Sequence, residues 1–233
     1  MDHLADGLVY YVAFLFSVTV HEAAHAWAAK LGGDLTAYHG GQVSLDPRPH
    51  IRREPIGMVV LPLISTVLSG WPFGYASAPF DPDWALRYPK RAGWMAVAGP
   101  GANLLIALIC VALVHVGVAA GVFYAPDSIG FESIVATDLG GVWPAATFLL
   151  SVFFSLNLMM ACLNMIPLPP LDGSAAVLLL LSESRARQYQ HFLMMSQSFA
   201  IMGLLIAWRV FDAIYDPVFL AVVNLIYPGV TYS

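Results

Sequence analysis

Charge is what this chain has least of: only 11% of its 233 residues are charged, against 59% hydrophobic, with a mean hydropathy of +0.72. Soluble domains carry about 25% charged residues. A 25.2 kDa globule of this composition could not cover its surface with polar groups, so a soluble fold is excluded and an integral membrane protein is implied. Basic residues are scarcer still, 10 Lys and Arg against 15 Asp and Glu, which disfavours a nucleic-acid-binding face. Cysteine is nearly absent. Cys110 and Cys162 lie inside apolar runs without CxxC spacing and read as small buried hydrophobes, silent about redox compartment. No Lys or Arg precedes Lys30, unlike the charged start of a secretory signal, so the first apolar run is expected to be a retained helix.

What is abundant is apolar sequence of membrane length. Residues 7–31 form a run long enough to cross roughly 30 Å of hydrocarbon. Further runs cover residues 92–122, 144–163 and 191–210, and a shorter one at 218–230 completes a last span. The expectation is an all-α polytopic membrane protein of four to six transmembrane helices, with no repeats and no separate soluble domain. Residues 56–71 are as apolar but contain Pro62 and Gly70, with Pro72 following. Seven of the ten basic residues, from Lys30 to Arg91, fall between the first two full-length runs. The positive-inside rule then makes residues 32–91 cytoplasmic, so 56–71 must dip in and return. The loop at 123–143 holds Asp127, Glu132 and Asp138 without a basic residue and is assigned outside, with the N-terminus also outside. Trp71, Trp84, Trp94 and Tyr88 are expected as interfacial anchors near the cytoplasmic boundary.

The last third of the first run reads Val20-His21-Glu22-Ala23-Ala24-His25-Ala26-Trp27. Histidines four apart stand on one helix face, where two imidazoles bind one zinc and the adjacent Glu reaches the metal's water; this is the HExxH signature of zinc proteases. Ionisable residues inside a span mark a functional site by default. The alternative is a purely structural role, hydrogen bonding between helices, which does not require that spacing. A catalytic zinc takes three protein ligands and keeps one position open. The stretch Asn164-Met165-Ile166-Pro167-Leu168-Pro169-Pro170-Leu171-Asp172-Gly173 breaks the chain at membrane depth, which is tolerated only where backbone is buried in protein or lines a watery cavity. Asp172, the only acid between Asp138 and Glu183, is the natural third ligand.

These residues resemble the site-2 protease family of intramembrane zinc metalloproteases. The stretch from Asn164 to Gly173 matches that family's N-x-x-P-x-P-x-L-D-G motif at every specified position, and the HExxH lies in the corresponding helix. Gly33-Asp34-Leu35-Thr36-Ala37 and Ala98-Gly99-Pro100-Gly101-Ala102-Asn103 are also similar. The resemblance implies one zinc per chain held by His21, His25 and Asp172, Glu22 as general base, and a three-helix catalytic core. It further implies Asn164 near the zinc as an oxyanion donor, the alternative being a helix cap or turn. Asn103 is expected to organise packing between core helices or to bind substrate backbone. No PDZ-like or nucleotide-sensing domain is expected in residues 1–233. The expected activity is a zinc metalloendopeptidase cutting transmembrane segments, in regulated intramembrane proteolysis. Its partners would be the lipid bilayer and single-span membrane proteins or signal-peptide remnants, with no nucleic acid, in the inner (plasma) membrane and with the active site towards the cytoplasm.

Two stretches depart from the family pattern. Gly74-Tyr75-Ala76-Ser77-Ala78-Pro79 lacks the family's lysine, and His50-Ile51-Arg52-Arg53-Glu54-Pro55-Ile56-Gly57 matches only loosely. Residues 40–45 and 56–62 are expected to form a membrane-associated strand or loop pair that adds an unwound substrate to its edge, or else a loop clamped over the core. His39 and His50 are read as solvated, and His115 as a hydrogen-bonding residue within a span. The rivals to a protease are a non-enzymatic metal transporter or scaffold, whose ion-binding groups should spread over several depths, and an inactive family member.

Overall fold

The computed structural model of the chain describes residues 2–195 and 199–233, with side chains from residue 6 onward. Helices dominate. The order is α1 (Asp2–Leu31), α2 (Thr36–His39), α3 (Pro47–Arg53), a π-helical turn (Ile56–Val60) running into α4 (Leu61–Ser69), α5 (Pro82–Arg87), α6 (Pro89–Ala119) and α7 (Trp143–Asn164). There follow α8 (Asp172–Ala176) with a 3-10 turn (Val177–Leu180), α9 (Glu183–Met195) and α10 (Ala200–Ile226). No β-strand occurs among the described residues, only an isolated bridge between Tyr124 and Ala136.

Three described helices are long and apolar enough to cross a membrane: residues 6–31 of α1, α6 and α7; a fourth is reached if α9 and α10 are counted together. The expected span at 191–210 includes residues 196–198, which lie outside the described residues. The expected separate run at 218–230 is a correction: residues 200–226 form one helix, so no turn divides it. Helix α10 lies along α7. Ala207 and Phe211 pack with Ile166 and Leu171 beyond the C-terminal end of α7, the Tyr215 hydroxyl donates to the Ser155 carbonyl at 3.3 Å, and Phe219 meets Phe154. Val223 and Ile226 join Ile134 near the start of α7.

Helix α1 is at the centre because its sequence gives it two different faces. Ala13, Phe14, Ser17, Val18, His21, His25 and Ala29 recur at steps of three and four and are all buried, while Leu8, Val12 and Phe16 form an exposed lipid-facing stripe. The core consists of α1, α6 and α7, which pack pairwise against one another.

The apolar stretch at 56–71 turns back as expected from the charges. Met58 packs with Tyr10, Ala13 and Phe14, and a Cβ at Gly7 would touch Thr66, so α4 runs antiparallel to the first half of α1. The chain then returns extended, reaching Asp81, whose N–H donates to Asp34 beyond the end of α1. Gly57 and Gly74 permit this hairpin. A Cβ at Gly57 would lie 2.1 Å from the Tyr75 carbonyl oxygen, and the Tyr75 N–H donates to the Gly57 carbonyl at 3.1 Å.

Several expectations are corrected here. The strand alternative for 40–45 and 56–62 does not form: the first stretch is turn and loop, the second helical. Trp71 lies against Phe131 of the 123–143 loop, ring centroids 4.6 Å apart, because the hairpin carries it to the opposite end of α1 from the anchors it was grouped with. Trp84 is buried, its indole N–H donating to the Gly32 carbonyl, whereas Trp94 is exposed. His50 is buried with Nε2 against the Ser44 carbonyl at 3.0 Å, because it faces inward from the short helix α3. His115 is exposed and forms no hydrogen bond among the described residues.

Candidate metal centre

The two histidines of α1 converge with Asp172 on one point. His21 Nε2 and His25 Nε2 are 2.9 Å apart, and Asp172 Oδ2 is 3.1 Å from the first and 3.3 Å from the second. Each imidazole is fixed from behind. His21 Nδ1 lies 2.5 Å from Asn103 Oδ1, and His25 Nδ1 lies 2.7 Å from the Met95 carbonyl oxygen. Both partners are acceptors, so each ring carries its proton on Nδ1 and turns the Nε2 lone pair to the common point.

Two lone pairs and a carboxylate oxygen at about 3 Å repel one another unless a cation lies between them. Zinc at about 2.0–2.2 Å from N and O donors in tetrahedral array separates those donors by roughly 3.3 Å, close to the spacings found. A second observation agrees. A Cβ on Gly99 would stand 2.4 Å from His25 Nε2 and 2.6 Å from His21 Nε2, so the missing side chain leaves room against the metal-facing edges of the rings. Glu22 is buried beside them, its Oε2 without a hydrogen-bond partner, and the donor atoms of His21, Glu22 and His25 lie within 4.8 Å of one another. The residues present therefore fit a zinc ion.

Asp172 reaches this point because the chain between α7 and α8 is compact. Leu168 N–H donates to the Ile166 carbonyl, Leu171 N–H to Leu168, and Ser174 N–H to Leu171, so backbone groups freed by the prolines find partners. A cis peptide joins Pro169 and Pro170. A Cβ on Gly173 would lie 2.3 Å from the Met165 carbonyl oxygen, so only glycine lets α8 begin this close to the end of α7. Helix α10 holds the loop from the other side: at Gly203 a Cβ would be 1.8 Å from the Pro169 carbonyl oxygen.

Asn103 has no exposed surface, and its amide is spent inside the protein. Its Oδ1 faces His21 and its Nδ2 donates to Asn157 Oδ1 at 2.8 Å, while Asn157 Nδ2 donates to Ser17 Oγ at 2.9 Å. Of the two roles expected of Asn103, this network matches the organising of packing between core helices, and it also orients the histidine. Asn164 ends α7 and donates Nδ2 to the Met160 carbonyl at 3.0 Å, and among the described residues it forms no hydrogen bond with the histidines or Asp172. Ser17, Asn157 and Gly203 escaped the sequence reading. The first two carried a signal, being polar residues inside apolar spans, with Ser17 one turn before His21 on the same face.

Comparison with known proteins agrees with this geometry. A profile described as "Peptidase family M50" matches residues 9–206. The chain is 30% identical over 166 residues to the protein named "Putative zinc metalloprotease YwhC" of Bacillus subtilis, covering 70% of this chain and 64% of that one. It is 28% identical over 194 residues to "Putative zinc metalloprotease Rip2" of Mycobacterium tuberculosis, covering 83% and 63%. The chain thus spans a little under two thirds of the length of these relatives. No solved structure gives a significant match. With most of its length matched by one profile and its convergent His, His and Asp donors spaced for zinc, the chain belongs to peptidase family M50, the zinc-dependent site-2 protease family.

Proposed function

We propose that this chain is an intramembrane zinc metalloendopeptidase that cleaves transmembrane segments of membrane proteins, with His21, His25 and Asp172 as ligands and Glu22 as general base. The observation that carries the reading is the convergence of three donor atoms with the unpartnered Glu22 carboxylate inside the helical core. Bound zinc supplies Lewis-acid activation of water and of the scissile carbonyl. Glu22 accepts the proton of the attacking water and returns it to the leaving nitrogen as the C–N bond breaks. Asn103 and the Met95 carbonyl hold the two imidazoles in register. Asn164 keeps one amide hydrogen beyond its bond to Met160, and that hydrogen serves the developing oxyanion.

A transmembrane substrate satisfies its own backbone and has to unwind before it is cut. The extended return segment offers the unwound substrate an edge. Ala76 packs against the cluster that includes Phe14 and Val18, and Ala78 against the one that includes Ala29, so residues 76–78 run between the clusters that flank His21 and His25 along α1, and among the described residues their N–H groups donate no backbone bond. The substrates of this reading are single-span membrane proteins or signal-peptide remnants, engaged in regulated intramembrane proteolysis. The clustering of basic residues between α1 and α6 supports a site open to the cytoplasmic side of the plasma membrane.

The test is reconstitution in liposomes with a single-span protein carrying Gly, Pro or Asn in its span. Mass spectrometry should find new termini within the span, lost on chelation and regained with zinc. Intact substrate with zinc-loaded protein, or cuts confined to water-exposed segments, would overturn the reading.

A further inference from the structure

A buried chain of hydrogen bonds crosses all three core helices, and it has a direction. It runs from Asn157 on α7 through Asn103 on α6 to His21 on α1, and neither asparagine has any exposed surface. Asn157 Nδ2 donates to the Phe153 carbonyl at 2.8 Å and to Ser17 Oγ at 2.9 Å. Asn103 Nδ2 donates to Asn157 Oδ1 at 2.8 Å and lies 3.4 Å from the Ser17 carbonyl oxygen, while Asn103 Oδ1 faces His21 Nδ1 at 2.5 Å. A carboxamide has a donor end and an acceptor end of nearly the same shape, so its surroundings decide which way it points. A backbone carbonyl can only accept. The Phe153 carbonyl therefore fixes the Nδ2 end of Asn157, which leaves Oδ1 for Asn103. Asn103 must answer with its own Nδ2, and its Oδ1 is left for His21. The reverse order would set Asn157 Oδ1 against the Phe153 carbonyl and Asn103 Oδ1 against the Ser17 carbonyl, two pairs of buried acceptors without a proton between them.

We infer that Asn157 is a positioning residue for the metal centre: acting through Asn103, it passes the acceptor-only character of the Phe153 carbonyl on to His21 and so sets which ring nitrogen faces the metal. An imidazole that gives Nε2 to a metal keeps its proton on Nδ1. Asn103 turned the other way would bring two N–H donors face to face behind His21, or draw the ring proton onto Nε2 and close that position to a metal. Asn157 forms no hydrogen bond with His21, His25, Asp172 or Glu22 among the described residues, so Asn103 is its path to the site. Amide side chains in spans also hold helices together, but either polarity would serve that purpose. Only the polarity found leaves Nε2 of His21 free. The inference rests on the zinc centre and not on the proposed cleavage, and its test reads metal binding alone.

The experiment is zinc competition against a chromogenic chelator for the full-length chain in detergent, with thermal unfolding in parallel. Asn157→Leu should weaken zinc binding about tenfold, as loss of a support behind a metal ligand does. Asn157→Asp should bring the affinity back close to the native value, because one oxygen still accepts from Asn103 and the other, protonated, donates to the Phe153 carbonyl. In a chain already carrying Asn103→Leu, Asn157→Leu should cost less than about a further twofold, since the path to His21 is cut. Nuclear magnetic resonance of the zinc-loaded chain with nitrogen-15 histidine gives a second readout: the His21 Nδ1 proton signal should be shared by the native chain and Asn157→Asp and be displaced or lost in Asn157→Leu. A role confined to bridging helices would lower the melting temperature of Asn157→Leu without moving that signal. Native zinc affinity in Asn157→Leu, an equal loss in Asn157→Asp, losses that multiply in the double variant, or an unmoved His21 signal would overturn the inference. If Asn157→Leu does not fold, judged by helical content, Asn157→Ala, which adds no bulk, takes its place in the same comparisons. A native chain that binds no zinc would remove the metal centre and this inference with it, whereas native binding that ignores Asn157 refutes the inference alone.

Discussion

Adding one methyl group at Gly99 probes the metal centre at its narrowest point. The new carbon would stand 2.4 Å from His25 Nε2 and 2.6 Å from His21 Nε2, whereas ordinary contact begins at 3.4 Å. One or both rings must therefore retreat by up to about 1 Å, and metal ligation tolerates only about 0.2 Å. The rings cannot swing away freely, because Asn103 holds His21 and the Met95 carbonyl holds His25. Gly99→Ala should accordingly lower zinc affinity by about 100-fold or more, equivalent to about 2.7 kcal/mol. Gly101→Ala is the matched control. It lies two residues on in the same helix, its Cβ would meet nothing within 4 Å, and both changes gain roughly 1 kcal/mol of helix propensity. Competition against a chromogenic zinc chelator in detergent, with thermal unfolding in parallel, separates metal binding from stability. Native zinc affinity in Gly99→Ala, or an equal loss in Gly101→Ala, would show that the ligands do not converge on the face of Gly99.

Other changes test the supports of the site. Asp172→Ala should reduce bound zinc to well below one per chain by elemental analysis; unchanged zinc would move the third ligand elsewhere. Asn103→Leu removes the acceptor behind His21 and strands the Asn157 Oδ1, so zinc affinity should fall about 10- to 100-fold in the same competition assay. Gly203→Ala drives a carbon into the Pro169 carbonyl, and such overpacking costs about 1–3 kcal/mol, so the melting temperature should drop together with zinc affinity. Outside the membrane helices, Asp46 caps α3 and pairs with Arg48, whose side-chain and backbone hydrogen bonds hold its carboxyl down at about 2. Its contribution should be constant above the ordinary carboxylate value of 3.8 and disappear as pH falls towards 2, which a carbon-13 titration of the Asp46 carboxyl would follow.

The convergent trio of His21, His25 and Asp172 was legible because intramembrane polar chemistry is conspicuous against apolar sequence. His21 and His25 have helical spacing within a span, and Asp172 is a lone acid after a proline-broken helix. The re-entrant path of 56–71 was also legible, from Lys and Arg on both flanks. What the sequence hid is contact between distant segments. Nothing local to Asn103 reveals that it faces His21, 82 residues earlier, and hydropathy alone does not distinguish one bent or charged helix from two short ones at 200–226. Trp71 was misplaced because aromatic residues mark an interface without saying which one. Gly99 and Gly203 read only as small residues until the groups they admit were seen on the other side.

In the proposed mechanism Glu22 moves the proton and does not hold the metal, and Glu22→Gln tests this in a single preparation. Zinc content and cleavage of a membrane-embedded peptide would be measured on the same reconstituted sample. The expected result is one zinc per chain, as in the native protein, with cleavage abolished. Cleavage at the native rate would contradict the assignment of the base, and loss of zinc together with activity would make Glu22 a ligand instead.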